Sequence, residues 1–217
     1  MNSKNWGNLI WDYPSKLKSR EKILQTWNKV SGLSSIPKER IFYTLGGRST
    51  DSNKFSPASW SEHTFLIKRK VITSKQYYSV EKKEDVFVHN KDIRVGNWIK
   101  GDFVEKLRTC CEHNKLPAII NFDAMGMAKT VYEDFGKILR IVDCYDIPNV
   151  FLCCNVMLQA HHYKDSPENA LHILQGGEDA MWYFGNDKLK KKWKILKPYM
   201  YQGGTRTPMC NFMFYQK

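Results

Sequence analysis

The strongest constraint on this chain is a repeated exchange between short apolar runs and longer mixed segments. LPAIINFD (residues 116–123) and VFLCCNVML (150–158) are nearly continuous apolar stretches of strand length. Between them, residues 128–142 carry the apolar and polar mixture of a helix with one buried face. Strands apolar on both sides need cover on both faces, so the pattern predicts a mostly parallel sheet with helices above and below.

The same exchange runs along most of the chain. IFYTL from Ile41, QYYSVE from Gln76 and NWIKGDF from Asn97 read as the first three strands, the third ending at Asp102. SEHTFLIKRKVI, KKEDVFVHN and VEKLRTCCEHN supply helical segments among them, and one further helix is expected between Pro167 and Phe184. KWKILKPYMYQ and PMCNFMFYQK, joined around GGTRT, form an antiparallel C-terminal hairpin. Ahead of this unit, residues 15–30 place Leu17, Ile23, Leu24 and Trp27 among charged residues, with Pro14 before and Gly32 after. The expected organisation is a helical N-terminal extension over residues 1–40 and an α/β domain over residues 41–217.

With 42% hydrophobic and 26% charged residues, the 217-residue chain matches a folded globular protein and excludes collagen-like, mucin-like and transmembrane chains. Its 34 Lys and Arg against 22 Asp and Glu leave a formal charge of +12 at pH 7. Six lysines fall between Lys188 and Lys197, and the charge points to a polyanionic partner, DNA or RNA. Within that run Lys190, Lys191 and Lys192 suit phosphates and Trp193 a stacked base, while Arg206 can approach a further phosphate. A solvated helix end or edge strand with Trp193 as its one buried ring explains the same residues without a partner.

The six cysteines form two adjacent pairs and two singles, which is no metal framework, and no metal site is expected. The opening MNSKNWGNLIWDYP lacks the pattern of a secretory leader, so an intracellular, cytoplasmic protein with reduced thiols is expected.

In an open α/β sheet, ligands gather at the carboxyl ends of the strands. Here those ends carry Gly46-Gly47, then Glu81, then Asp102, then Asn121 with Asp123. The order offers close backbone approach, followed by acceptors for a ribose and a purine. Helix capping and turn formation are the structural alternatives for the same residue types.

At these residues the chain resembles the class I S-adenosylmethionine-dependent methyltransferases, across roughly residues 41–217. FYTLGG looks like the family's glycine-bearing first motif, YYSVE its second strand, NWIKGDF its third element and INFDAMG its fourth. The resemblance implies a Rossmann-like three-layer fold whose seventh strand is antiparallel, the terminal hairpin forming strands six and seven. It implies S-adenosyl-L-methionine as cofactor, with Gly46 and Gly47 beside it, Glu81 on the ribose and Asp102 near the adenine. Asp123 and Asn121 would stand beside the methyl acceptor.

Two departures are visible. Where the family carries an acidic residue ahead of its glycine loop, this chain reads TLGGRST, with Thr44 in place. INFDAMG also lacks the Pro-Pro-aromatic element of the amino-methylating DNA enzymes. The 34-residue step from Gly47 to Glu81 suggests an inserted lid, and Glu62 within it is either a helix cap or an added site carboxylate. Methyl transfer to a nucleic acid is the expected function. A noncatalytic nucleic-acid-binding protein with a degenerate Rossmann-like fold is the alternative, and a metal-dependent nuclease ranks below both.

Overall fold

The computed structural model describes residues 14–45, 62–91, 96–160, 163–185, 192–202 and 207–217. Seven helices and ten strands are assigned among them. The helices are α1 (Pro14–Ser31), α2 (Glu62–Lys68), α3 (Glu84–Lys91), α4 (Phe103–Glu112), α5 (Ala128–Cys144), α6 (Pro167–Gln175) and α7 (Glu178–Gly185). The strands are β1 (Ile41–Leu45), β2 (Tyr77–Glu81), β3 (Asn97–Lys100), β4 (Pro117–Met127), β5 (Val150–Met157), β6 (Gln159–Ala160), β7 (Tyr163–Lys164), β8 (Trp193–Ile195), β9 (Tyr199–Gln202) and β10 (Pro208–Gln216).

The main sheet runs β3-β2-β1-β4-β5-β10-β8, with β9 also paired to β10. The pairs from β3 through β5 are all parallel. β10 inserts antiparallel between β5 and the β8 and β9 segments. This is the expected α/β, Rossmann-like sheet with its antiparallel C-terminal hairpin. β8 and β9 pair with opposite ends of β10, separated by the Leu196–Pro198 stretch. Proline cannot donate a ladder hydrogen bond, which accounts for a break there.

Two apolar clusters separate the layers. Because alternate strand residues point to opposite faces, Tyr43, Ile120, Leu152 and Phe214 pack with α4–α7. Phe42, Ile119, Phe151 and Met213 pack on the other side with α1 and α2. Phe135, Ile138, Leu139 and Val142 recur at helical spacing and are all fully buried on the inner face of α5. Each such side chain contributes about 1.5–3 kcal/mol of burial energy.

α1 starts at Pro14, whose missing N–H costs a first helical turn nothing, and its chain leaves through Gly32 at φ +73°. Ile23, Leu24 and Trp27 seat it against the sheet at 6%, 6% and 1% exposure, so its stability comes chiefly from tertiary packing.

Three expectations of extent change. The helix foreseen between Pro167 and Phe184 is two helices, broken at Gly176–Gly177. β3 stops at Lys100, so Asp102 lies beyond the strand. β4 continues past Asp123 to Met127, with its pairing to β5 shifted between those residues. Among the described residues no helix is long and apolar enough to cross a membrane.

Candidate functional site

On the face covered by α1 and α2, the inward residues turn polar toward the carboxyl ends of the strands. β1 passes from Phe42 to Thr44, β4 from Ile119 to Asn121 and Asp123, and β5 from Cys153 to Asn155. Register aligns these changes, because Thr44 pairs with Ser79 and Asn121, Asp123 with Asn155, and Asn155 with Asn211. A polar band therefore crosses five strands where apolar side chains would otherwise continue.

Asp123 lies at the centre of one half of this band. Its Oδ2 faces the Lys16 ammonium of α1 at 2.8 Å, each side chain 16% exposed. Its Oδ1 accepts from Asn155 Nδ2 at 2.6 Å, and the same amide nitrogen donates to the Tyr201 hydroxyl at 2.6 Å. Burial opposes ionisation, but the Lys16 charge and its hydrogen bond, with Asn155 and Arg20 adding to them, hold the carboxyl below its ordinary pKa. Asp123 is thus a stable anion at neutral pH, suited to orienting a donor more than to storing a proton. Burial beside that anion pushes the Tyr201 phenol far upward, so it stays protonated.

Asn121 lies at the centre of the other half. Its Nδ2 donates to Glu62 Oε1 at 2.6 Å and lies 3.4 Å from Thr44 Oγ1. Tyr77 donates its hydroxyl to Glu62 Oε2 at 3.2 Å. Burial pushes the Glu62 carboxyl upward, partly offset by Arg20, Thr44 and Lys16. Although Glu62 begins α2, its side chain reaches Asn121 of β4. The long step from Gly47 to Glu81 contains α2 and a short 3-10 turn at Ser74–Gln76.

Glu81 ends β2 and is partly buried, with Oε1 accepting from the Lys83 backbone N–H at 2.8 Å; burial raises its pKa. Asp102 is exposed and caps α4, its Oδ1 accepting from the N–H groups of Val104 at 3.0 Å and Glu105 at 3.2 Å. Gly101 joins the two strand ends, its N–H donating to the Glu81 carbonyl at 3.1 Å while φ is +147°, a conformation that favours glycine. Glu81, at the end of β2, and Asp102, two residues beyond β3, therefore share the carboxyl edge of the sheet. Gly46 and Gly47 lie outside the described residues.

The described part of the basic run, from Lys192 on, stands elsewhere. Trp193 pairs with Gln216, which pairs with Val150 at the start of β5, whereas Tyr201 pairs with Met209, opposite Met157 at the end of β5. Trp193 is thus at the amino edge, away from Asp123. It is only 3% exposed and packed in the core, so its ring offers no open stacking face. Trp182, 64% exposed on α7, is an open ring sequence reasoning passed over. Lys192 is exposed and pairs with Asp143 at 2.8 Å. Lys190, Lys191 and Arg206 lie outside the described residues.

Sequence reasoning also missed Lys16, Arg20, Asn155 and Tyr201. Asn155 had a local signal, a lone amide inside VFLCCNVML, because a buried polar group needs partners. Lys16 and Arg20 had none, being two among many charges of α1. Asn155 Oδ1 is buried with no protein hydrogen-bond partner among the described residues, leaving an acceptor on this band that a donor group of a ligand can satisfy. Together with the carboxylates at the ends of β2 and beyond β3, this donor and acceptor set fits a nucleoside carrying an amino-acid chain. Among the described residues no group of three or more His, Cys, Asp or Glu is placed to hold a metal ion.

No protein-family model matches the chain, and no curated protein matches its sequence. Solved structures match its fold. The N-methyltransferase NodS from Bradyrhizobium japonicum WM9 aligns with a TM-score of 0.50 at 12% identity, covering 95% of this chain and 99% of that one. A fibrillarin/NOP5P complex aligns at 0.50 and 12% identity, covering 83% of this chain and 73% of that one. Trm5b from Pyrococcus abyssi aligns at 0.53 and 10% identity over 95% of this chain, which spans 50% of that longer chain.

Proposed function

We propose that this chain, which has the fold of the class I S-adenosylmethionine-dependent methyltransferases, transfers a methyl group from S-adenosylmethionine to a nucleic acid. The observation that carries the proposal is the ordered placement of Glu81, Asp102 and Asp123 along one carboxyl edge of this fold. When bound, the cofactor supplies an electrophilic methyl on a sulfonium, so no covalent attachment to the protein is required.

In this proposal Glu81 accepts hydrogen bonds from the ribose hydroxyls, and Asp102 offers its carboxylate to the adenine while capping α4. Gly46 and Gly47 are assigned to the loop beside the cofactor. Asp123, kept ionised by Lys16, accepts a hydrogen bond from the N–H or O–H of the acceptor and so aims its lone pair. Asn121 holds the neighbouring Glu62 and Thr44 in place. Alignment of this kind lowers a barrier by removing rotational freedom before reaction. Residues 41–217 supply the sheet and its ends, and the segment before residue 41 supplies α1, whose Lys16 completes the acceptor side.

The +12 charge supports a polyanionic acceptor, DNA or RNA, with Lys190, Lys191, Lys192 and Arg206 assigned to phosphates. The described cysteines are all free thiols, which suits an intracellular site of action. The second reading, a noncatalytic nucleic-acid binder, draws on Thr44 standing where the family has an acidic residue.

Labelled methyl incorporation tests the choice. With S-adenosylmethionine carrying the label, and RNA or DNA added separately, retention on either polymer is the expected result. Folded protein that binds S-adenosylhomocysteine and labels neither polymer refutes the nucleic-acid acceptor. Protein that does not bind this product refutes methyl transfer itself.

A further inference from the structure

β1 ends with Thr44 and Leu45, with no acidic residue ahead of the following glycines. A carboxylate is nevertheless present beside Thr44. It arrives from α2, whose first residue, Glu62, accepts from Asn121 Nδ2 at 2.6 Å; that same nitrogen lies 3.4 Å from Thr44 Oγ1. Parallel register places Thr44 directly opposite Asn121. Glu62 thus delivers a carboxylate to the end of β1, where it pairs with Asn121 of β4, from a residue distant in sequence.

The position has a chemical consequence that rests on S-adenosylmethionine being the cofactor. With adenine at the start of α4 and ribose at the end of β2, the amino-acid chain of the cofactor extends along the edge toward β1 and β4. Asp123 and Glu62 are the acidic side chains of the polar band there. Asp123 already faces the Lys16 ammonium at 2.8 Å. Glu62 is held by the neutral amide of Asn121 and phenol of Tyr77, with Arg20 and Lys16 acting on it from α1. Burial still outweighs these two cations and keeps the carboxyl raised, so a further cation beside it stabilises the charged form. We infer that Glu62 binds the ammonium group of the cofactor's amino-acid moiety, supplying from α2 the carboxylate that the end of β1 lacks.

Calorimetric titration of the full chain with S-adenosylhomocysteine and with 5′-methylthioadenosine tests this assignment. The second ligand shares the adenosine and thioether but has no amino-acid group. Wild type is expected to bind S-adenosylhomocysteine at least about tenfold more tightly, and Glu62→Gln to lose most of that margin with methylthioadenosine affinity unchanged. A margin preserved in the variant overturns the Glu62 assignment and leaves the cofactor in place. Wild type binding neither ligand overturns both.

Where Glu62→Gln fails to fold, the wild type decides by pH. Lys16 and Arg20 of α1, Thr44 of β1, Tyr77 of β2, and Asn121 and Asp123 of β4 surround the Glu62 carboxyl. Its ionisation strengthens ammonium binding, so affinity for S-adenosylhomocysteine should rise relative to that for methylthioadenosine as pH is raised, any effect of Glu81 on the shared ribose cancelling in the ratio. Parallel profiles for the two ligands overturn the assignment.

Discussion

Replacing Lys16 by Met probes how α1 is held to the sheet, because the apolar stem is kept and only the ammonium is lost. At an effective dielectric of about 20, an ion pair in contact carries about 4 kcal/mol of gross attraction. The 16% exposure of both side chains in this 2.8 Å pair, together with Arg20 acting on the same carboxylate, reduces the net loss. About 2 kcal/mol of stability at neutral pH is the expected cost, below the roughly 3–5 kcal/mol of a fully buried pair. The pH dependence has a definite sign. Asp123 is depressed below its ordinary value of 3.8 in the folded protein, so its contribution is present above that value and disappears as pH falls through the folded pKa. Urea unfolding of wild type and Lys16→Met should therefore differ by about 2 kcal/mol at pH 7 and converge in acid. A double-mutant cycle with Asp123→Asn should return a coupling of about 1–2 kcal/mol. A loss under about 0.5 kcal/mol at neutral pH, or a gap that persists in acid, would refute the ion pair as a fastening of α1.

Three further outcomes follow from individual residues. Glu81→Gln should weaken S-adenosylhomocysteine binding about tenfold by calorimetry with little change in thermal midpoint, since its carboxylate meets the backbone N–H groups of exposed Lys82 and Lys83, which water can satisfy in its place. Asp102→Ala should cost about 1 kcal/mol in urea unfolding through loss of the α4 cap, whereas Asp102→Asn should retain the cap; weaker product binding by the Asn variant would then report the ligand role alone. Neutralising Lys190, Lys191 and Lys192 together should lower the salt dependence of single-stranded RNA binding by a slope of about 2, measured by fluorescence anisotropy, and an unchanged slope would remove these lysines from the interface.

Much of the fold could be read locally. LPAIINFD and VFLCCNVML declare buried strands because they are apolar at both alternating positions, and the segment between them declares a helix by its spacing. Local features were less reliable at element ends. Asp102 looked like a strand terminus, but the positive φ of Gly101 turns the chain so that its carboxylate caps α4. Trp193 among lysines allowed both a stacking ring and a buried one; pairing with Gln216 decides for burial, and no property of LKKKWK encodes that partner.

By itself, the order of residues determined which segments are strands and helices and which of their residues share a face, since both follow from backbone periodicities of about two and 3.6 residues. Tertiary structure alone decided that Lys16 meets Asp123 and that Glu62 reaches Asn121. Those pairs are separated by 107 and 59 positions in the chain. Their meeting depends on how α1 and α2 rotate and settle on the sheet, a geometry set by the packing of Trp27, Phe65 and Leu66 against it and encoded in no single stretch of sequence.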